Sequence, residues 1–433
     1  MGICPDGKML LSARTYRVLV IEDDPAIAEV IRARLEQDKI EVEIARDGAA
    51  GVEAADRALP DMVVADLLTP RMHGYEVIRR LRASPGTCRL PILVLSAQAY
   101  PTDQRKAMQM GADAFLAKPF ELDEFSATVG RMLRTTRVRF WGVRGSIATP
   151  GPDTVRYGGN TPCVTIESGD HELILDAGTG LRKLGLTLAA EARGKPLSLH
   201  MLITHTHWDH IQGFPFFVPA FVPGNRIEVH GPPSVDKPLE KVLRGQMDSE
   251  YFPVSLGDMA ADIQVHEIRE MSFEIGGFRV RARYVNHPGV TMAYRIESDA
   301  CVVVYATDIE PYQAQLSDHK DVDGRRAEFG RQRDADLIDL IRGADLYIAD
   351  SQYTPEEYER KRGWGHSCYL DAVELALQAG AERIALFSHD PMHDDDMVDR
   401  KLKHCREVVE AKGSALQVIA AAESSIVELP PKS

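Results

Sequence analysis

The segment Leu199-His200-Met201-Leu202-Ile203-Thr204 runs directly into His205-Thr206-His207-Trp208-Asp209-His210 near the middle of the chain. Its first half is mostly apolar, as in a buried strand, and its second half offers three imidazoles and a carboxylate. Those groups suit zinc or another borderline divalent ion. Four donors packed this closely are hard to place around one tetrahedral ion, so the run predicts two ions at a strand end. The alternative is a solvated histidine-rich loop.

Three further potential ligands each come directly after an apolar, strand-like run, and they are His287, Asp308 and His389. Any one of them could simply be a polar residue at the end of a strand. Because the ends of neighbouring strands meet at one edge of a sheet, all three together favour a single metal site at that edge.

Length and composition bound the class of protein. The 433 residues suffice for two or three domains, and 44% hydrophobic with 27% charged residues is typical of a globular protein. No stretch approaches the roughly 18 apolar residues of a membrane span. The polar start lacks a secretory signal, so residues 1–14 are predicted to be a flexible leader. The six cysteines are scattered without a CxxC pair, which favours free thiols in a reducing compartment and a cytoplasmic location.

The charge balance bears on the substrate. The chain has 65 acidic against 51 basic residues, a net charge of −14, and no basic run. A protein that holds a long nucleic acid usually needs a basic surface to neutralise phosphates. The composition therefore argues against a long nucleic acid as partner.

The chain has two blocks with different patterns of predicted strands and helices. From Arg17 to about Arg134, short β-branched runs alternate with amphipathic helical segments, which predicts a parallel five-stranded α/β sheet with helices on both faces. From Arg137 onward, many strands precede the main helices, which predicts a layered αββα sandwich. The expected domains are residues 15–135 and 136–433.

Acidic residues follow two strands of the first block. Asp23 and Asp24 come after the first strand and Asp66 after the third, while Ser96 and Lys118 end the fourth and fifth. Functional side chains of a parallel sheet gather at these strand ends, and clustered carboxylates suit Mg²⁺. A lysine and a hydroxyl at the same rim would complete a phosphoryl pocket. The alternative is a flavodoxin-like domain whose acids are solvated loop residues.

This first block resembles the receiver domain of two-component response regulators in the runs 18–25, 66–74, 95–97 and 111–120. The resemblance implies that Asp66 is the phospho-acceptor and that Asp23 and Asp24 help hold Mg²⁺. It also implies that Ser96 and Lys118 contact the phosphoryl group and that Phe115 is the switch aromatic. A cognate histidine kinase or other phosphodonor and a homodimer are the partners that it implies.

The second block resembles the metallo-β-lactamase-fold hydrolases over nearly all of residues 137–425. Within it, the segments 140–146, 157–161 and 175–180 are similar to the branch of phosphodiesterases and tRNA-processing enzymes. By position, the resemblance implies a first metal on His205, His207 and His287. It implies a second on Asp209, His210 and His389, with Asp308 bridging both and Asp176 supporting the metal loop. Zinc is expected first, and manganese or iron fit the same ligands.

The predicted catalytic residues are Asp209, His366 and Asp350. His366, in a Gly-rich turn, resembles the extra histidine of the phosphodiesterase branch and could protonate a leaving group, with Asp350 as its acidic partner. The alternatives are a structural histidine and an acid that caps a helix. The aromatic stretch 213–221 is either core or a wall for a base, and the charged stretch 317–334 is either a flap or a solvated loop.

Together these features predict a response regulator with an enzymatic output. Phosphorylation at Asp66 would modulate a binuclear metal-dependent hydrolase, and the favoured substrate is a small nucleotide-type phosphodiester. The enzymatic alternative is a lactone, β-lactam or thioester hydrolase on the same metals. An alternative of another class is a signalling module without catalysis.

Overall fold

The computed structural model describes residues 16–97, 101–169, 171–298, 300–316 and 325–429. The predicted leader, residues 1–14, therefore lies outside the described residues. The chain divides into two compact units, with the boundary between Arg134 and Thr135. In the described ranges, no helix is both long enough and apolar enough to span a membrane.

The first unit is the predicted five-stranded parallel sheet, in the order β2-β1-β3-β4-β5. Its central strands are buried on both faces, as expected of β-branched runs covered by helices. The strands are β1 (Arg17–Ile21), β2 (Glu41–Ala45), β3 (Met62–Asp66), β4 (Ile92–Ser96) and β5 (Ala114–Ala117). The helices are α1 (Pro25–Gln37), α2 (Gly48–Arg57), α3 (Gly74–Ala83), α4 (Pro101–Gln109) and α5 (Leu122–Arg134).

The second unit contains two seven-stranded sheets. The first has the order β11-β10-β9-β8-β7-β6-β19, and the second has the order β12-β13-β14-β15-β16-β17-β18. The strands of the first sheet are β6 (Thr136–Gly142), β7 (Cys163–Ser168), β8 (His171–Leu175), β9 (Ser198–Leu202), β10 (Arg226–Gly231), β11 (Asp262–Glu267) and β19 (Ile426–Leu429). Those of the second are β12 (Met271–Ile275), β13 (Phe278–Val285), β14 (Thr291–Glu297), β15 (Val302–Ala306), β16 (Leu346–Asp350), β17 (Arg383–Phe387) and β18 (Gln417–Ala420).

Helices cover the outer faces of both sheets, so the unit has the predicted αββα layers. One apolar core lies between the sheets, and each outer layer of helices packs on a core of its own. The helices are α6 (Gly180–Ala192), α7 (Trp208–Ile211), α8 (Leu239–Gly245), α9 (Tyr312–Leu316), α10 (Arg325–Ile341), α11 (Pro355–Lys361), α12 (Tyr369–Ala379) and α13 (Asp395–Ala411). Strands β15, β16 and β17 are parallel, so their carboxyl ends open at one edge.

Two segments of this unit correct or refine the sequence interpretation. The interpretation of 317–334 as a loop is wrong from Arg325 onward, because α10 begins there and buries Leu337 and Leu340 at its far end. Residues 317–324 are outside the described part. In the aromatic stretch 213–221, Phe214 and Phe217 are fully buried, which favours the core interpretation for these two rings.

Gly142, at the end of β6, is a site where the chain tolerates no side chain. A Cβ atom there would stand 1.8 Å from the carbonyl oxygen of Thr161. We expect Gly142→Ala to lower the free energy of unfolding by about 1–3 kcal/mol, the usual cost of overpacking. Gly245→Ala is the matched control, because its Cβ would meet nothing within 4 Å.

Urea unfolding followed by tryptophan fluorescence measures this effect selectively. The three tryptophans, Trp141, Trp208 and Trp364, all belong to the second unit. Equal unfolding midpoints for the two glycine variants would contradict the close approach at Gly142.

Candidate metal centre and phosphoryl pocket

Three histidines from two loops lie together at one edge of the second unit. His205 and His207 follow β9, His287 follows β13, and each offers a ligand atom within 4.8 Å of the other two. The ring centroid of His205 is 4.5 Å from that of His207 and 4.8 Å from that of His287. His205 and His287 are buried, whereas His207 is exposed. The triad is therefore open to solvent on one side.

The protonation and hydrogen bonding of these rings suit a cation. Burial lowers the pKa of His205 well below its usual value and that of His287 to about 4, so both are neutral. Nδ1 of His287 donates to the carbonyl oxygen of Gly365 at 2.7 Å, which leaves its Nε2 facing Nδ1 of His207 at 3.0 Å. Nε2 of His205 is buried and has no hydrogen-bond partner among the described residues. A divalent ion would satisfy these nitrogens, so the triad fits one.

A second group of ligand atoms adjoins the first. Nε2 of His210 lies 3.2 Å from Oδ2 of Asp308 and 3.3 Å from Oδ2 of Asp209. The same oxygen of Asp308 is 3.7 Å from Nε2 of His205. Asp308 thus stands between the two groups, where the resemblance places a bridging carboxylate.

Asp176 holds the loop that carries these ligands. It follows β8 in the left-handed conformation, with φ of 57°, and is fully buried. Its Oδ1 accepts the backbone N–H of Thr204 at 2.7 Å, and its Oδ2 lies 2.8 Å from Nδ1 of His210. This contact leaves Nε2 of His210 to face Asp308, as expected of a carboxylate that orients a ligating imidazole.

The structure places His389 outside the ligand cluster, which corrects the prediction that it binds the second metal. Its Nε2 lies 2.9 Å from the carbonyl oxygen of Ala421, and it belongs to no group of ligand atoms found in the described residues. The preceding residue, Ser388, faces the cluster instead, with Oγ 3.4 Å from Oδ1 of Asp308. Strand β17 ends at Phe387, and Ser388 adopts φ of 56°, so the turn directs Ser388 inward and His389 away.

His366 and Asp350 form a buried pair beside the cluster. Nδ1 of His366 lies 2.8 Å from Oδ2 of Asp350, which is the last residue of β16. A ligand atom of His366 is within 4.8 Å of ligand atoms of both His287 and Asp308. Burial opposes protonation of His366, but the Asp350 carboxylate raises its pKa to about 9. The Asp350 carboxylate therefore favours the protonated form of this ring.

Sequence reasoning missed Glu310, which shapes the loop in front of His366. Its buried carboxylate accepts the N–H groups of Gly363 at 2.8 Å and Gly365 at 3.0 Å, and the hydroxyl of Tyr358 at 2.8 Å. Gly365 has φ of 88°, and a Cβ there would stand 2.5 Å from Nδ1 of His287. The position of Glu310, two residues after Asp308, places it near the site in sequence. No spacing rule, however, connects it to the loop at residue 365.

The first unit has a pocket at the carboxyl ends of its strands. Nζ of Lys118 lies 2.5 Å from Oδ2 of Asp66 and 2.6 Å from Oε2 of Glu22. Glu22, Asp23 and Asp66 each offer an oxygen within 4.8 Å of the others. Burial would lower the pKa of Lys118, but its bonds to the two carboxylates raise it, so the ammonium is retained.

The structure corrects the prediction that Asp24 helps hold Mg²⁺. Oδ1 of Asp24 accepts the N–H groups of Ala26 at 2.7 Å and Ile27 at 3.2 Å, so this side chain caps α1. Glu22, which the sequence interpretation left out, takes the place beside Asp23. Ser96 ends β4 and is buried, and Phe115 lies half-buried on β5.

Two family models match this chain. Residues 18–130 match the response regulator receiver domain, and residues 171–389, just over half of the chain, match the beta-lactamase superfamily domain.

Individual relatives match one unit each. The transcriptional regulator RpaA of Synechocystis is 36% identical over 140 residues, which are 32% of this chain and 58% of that protein. The chain thus spans little more than half the length of this curated relative. The metallo-β-lactamase fold protein YhfI from Bacillus subtilis is 19% identical and covers 68% of this chain and 99% of its own, with a TM-score of 0.46. Human tRNase Z, short form, is 17% identical and covers 68% and 99%, with a TM-score of 0.44.

The parallel five-stranded sheet and the αββα sandwich agree in order and extent with these two family matches. The chain therefore belongs to the beta-lactamase superfamily, and it carries a response regulator receiver domain ahead of its superfamily domain.

Proposed function

We propose that this chain is a response regulator in which phosphorylation at Asp66 modulates a metal-dependent phosphodiesterase that acts on small nucleotide-type phosphodiesters. The observation that carries the proposal is the His366–Asp350 pair beside the histidine–aspartate cluster. A charged imidazole opposite metal ligands is what cleavage of a phosphodiester with a poor leaving group requires.

Divalent cations are the expected cofactors of the second unit, with zinc favoured and manganese or iron as alternatives. The first ion would be held by the triad of histidines and the second by the adjoining group, and the residues are His205, His207, His287, Asp209, His210 and the shared Asp308. Such cations would lower the pKa of a water molecule and neutralise charge on the phosphodiester.

The side chains around the cluster would protonate the leaving group and orient the proton donor. His366, held by Asp350 through Nδ1, would donate the proton on its other nitrogen to the leaving oxygen. Asp350 keeps the ring charged and oriented, and it is itself fixed by the N–H groups of Ile309 and Gln352, each at 3.0 Å. The proposed proton donor is thereby positioned by the carboxyl ends of β15 and β16, which are neighbours in one sheet.

Two exposed indoles suggest what else the substrate contains. Trp208, next to His207, is 78% exposed, and Trp364, two residues before His366, is 63% exposed. Large apolar side chains left in water beside a cluster of polar groups commonly mark a binding surface. Stacking on a base is the contact that an indole would offer to a nucleotide. The net charge of −14 continues to argue against a long nucleic acid.

The receiver pocket supplies the regulation in this proposal. Glu22, Asp23 and Asp66 would hold Mg²⁺, and Lys118 would contact the phosphoryl group placed on Asp66. The phosphodonor is a cognate histidine kinase or a small phosphodonor. A cytoplasmic location and a homodimer are part of the same proposal.

The two metal positions are unequal in this proposal. The first has three imidazoles in addition to Asp308, whereas the second has Asp209, His210 and Asp308, with only the Ser388 hydroxyl where His389 was expected. A neutral hydroxyl is a much weaker zinc ligand than an imidazole or a thiolate. The second ion should therefore exchange readily.

Substrate turnover tests the phosphodiesterase. We expect the metal-loaded chain to hydrolyse cyclic nucleotides and bis(p-nitrophenyl) phosphate, and not a lactone or nitrocefin. His366→Ala should lower kcat about 10²-fold or more on cyclic nucleotides, whose alkoxide leaving group needs a proton. The same variant should change turnover of bis(p-nitrophenyl) phosphate little, because nitrophenolate leaves without one.

His404→Ala, a histidine on α13, is the matched control for this comparison. Turnover of only the lactone and nitrocefin would overturn the phosphodiesterase. Equal losses on both phosphodiesters would instead mean that His366 does not act as the proton donor.

Phosphorylation by acetyl phosphate tests the receiver pocket. Asp66→Asn should abolish labelling on a phosphate-affinity gel. Glu22→Gln should raise the Mg²⁺ concentration needed for half-maximal labelling roughly tenfold, because a carboxylate is lost from the cation site. Asp24→Asn should leave that concentration unchanged, since asparagine also caps a helix. A larger effect from Asp24→Asn than from Glu22→Gln would restore the original sequence prediction.

Metal content tests the unequal positions. After extensive dialysis, mass spectrometry of the metals should find fewer zinc ions at this centre than its two positions allow. Ser388→His, or the smaller Ser388→Cys, should raise the retained content by up to one ion, since each adds a strong donor facing Asp308. Ser351→Cys serves as control, because the Ser351 hydroxyl bonds the carbonyl oxygen of Phe387 instead. Unchanged retention in both Ser388 variants would show that this position does not limit the second ion.

A further inference from the structure

A second group of potential ligands lies on three neighbouring parallel strands of the first seven-stranded sheet. His200 is on β9, Glu228 and His230 are on β10, and His266 is on β11. Glu228 pairs with His200 and His230 pairs with His266 in the strand register. Because paired residues of parallel strands point to the same face, all four side chains share one face of the sheet. The other face carries Ile227 and Val229, which are fully buried in the outer core.

The distances from Glu228 to the two imidazoles are longer than those of well-formed hydrogen bonds. Oε2 of Glu228 is 3.4 Å from Nδ1 of His200 and 3.6 Å from Nε2 of His230. Ligands held at about 2.0–2.2 Å by a tetrahedral ion are roughly 3.3–3.6 Å apart. Glu228, His230 and His266 each offer one ligand atom within 4.8 Å of the other two.

The two nitrogen atoms that face Glu228 are left unsatisfied by the protein. Nδ1 of His200 and Nε2 of His230 are buried and have no hydrogen-bond partner in the part of the chain that the structure describes. Buried polar atoms normally have a partner, so each such atom needs an explanation. A cation bound by Glu228 and His266 would give Nε2 of His230 a partner.

The surroundings leave one side of the group open. Phe273 of β12 stacks on His230 with ring centroids 6.1 Å apart. The guanidinium of Arg226 forms an ion pair with Oε1 of Glu228 at 2.7 Å. Oε2 is thereby left to face the histidines. His266 is exposed and stacks on His230 at 4.5 Å, so its ring can turn toward an incoming ion. Burial also lowers the pKa of His200 and His230, which keeps both rings neutral and able to bind a cation.

We propose that Glu228, His230 and His266 bind one borderline divalent cation of the zinc type. The mixture of imidazoles and a single carboxylate favours such an ion over Mg²⁺ or Ca²⁺. The ion joins β10 to β11, which is one of the two edge strands of this sheet, so it clamps that edge. None of its ligands belongs to the centre around Asp308, so this site is independent of the proposed catalytic function.

Zinc binding by a chain whose other centre has lost two histidine ligands tests the site. The parent is the full chain with His205→Ala and His207→Ala, equilibrated by dialysis against zinc chloride and analysed by mass spectrometry of the metal. Adding His230→Ala and His266→Ala should lower the bound zinc by one ion per chain. His171→Ala is the matched control, because His171 lies close to Phe278 in the same region but is absent from the ligand group. Bound zinc equal in the parent and in the His230/His266 variant would overturn the site, as would an equal loss in His171→Ala.

A measurement on the otherwise unaltered chain guards against misfolding of the parent. There, Glu228→Gln should remove one zinc ion relative to the unaltered chain while its circular dichroism stays the same. Zinc should also raise the Tm of the His205/His207 parent, and it should raise it less once His230 and His266 are replaced, because an ion bound only to the native sheet stabilises it. A Tm rise of the same size in both proteins would contradict the clamp.

Discussion

The buried carboxylate of Asp176 is the interaction on which the metal centre depends. It accepts bonds from Thr204, faces Nδ1 of His210, and accepts the hydroxyl of Tyr305 at 2.9 Å. These partners come from the loop after β9 and from β15, so one carboxylate ties the first sheet to the second. A buried charge is tolerable only when such bonds compensate its lost hydration. The ligand loop is therefore held in one conformation before any ion arrives.

The same device recurs around the centre. Asp350 holds the backbone of residues 309 and 352 while orienting His366, and Glu310 holds the backbone of Gly363 and Gly365. The carbonyl oxygen of Gly365 in turn accepts a hydrogen bond from Nδ1 of His287. Carboxylates set behind the ligands thus help to fix which nitrogen of a ring faces the centre.

The two corrected site residues have a common cause. In each case a residue close in sequence faces the site in place of the predicted one, namely Glu22 in place of Asp24 and Ser388 in place of His389. Side chains alternate direction along extended backbone, and the turn that follows decides which neighbour points inward. Asp24 was drawn into the cap of α1, and the left-handed residue Ser388 turned His389 toward Ala421. An uncertainty of one or two residues in where a strand ends therefore exchanges one ligand for another.

The sequence by itself determined the two folds, because periodicity and the order of strands and helices are local properties. It also located the segments that meet at each site, since parallel strands bring their carboxyl ends to one edge. Only the tertiary structure determined which side chains from distant segments contact one another. Examples are the bond of Glu310 to the loop at Gly365 and the meeting of His200 with Glu228. No spacing along the chain encodes these pairs, because side-chain direction and burial are settled only when the sheets pack.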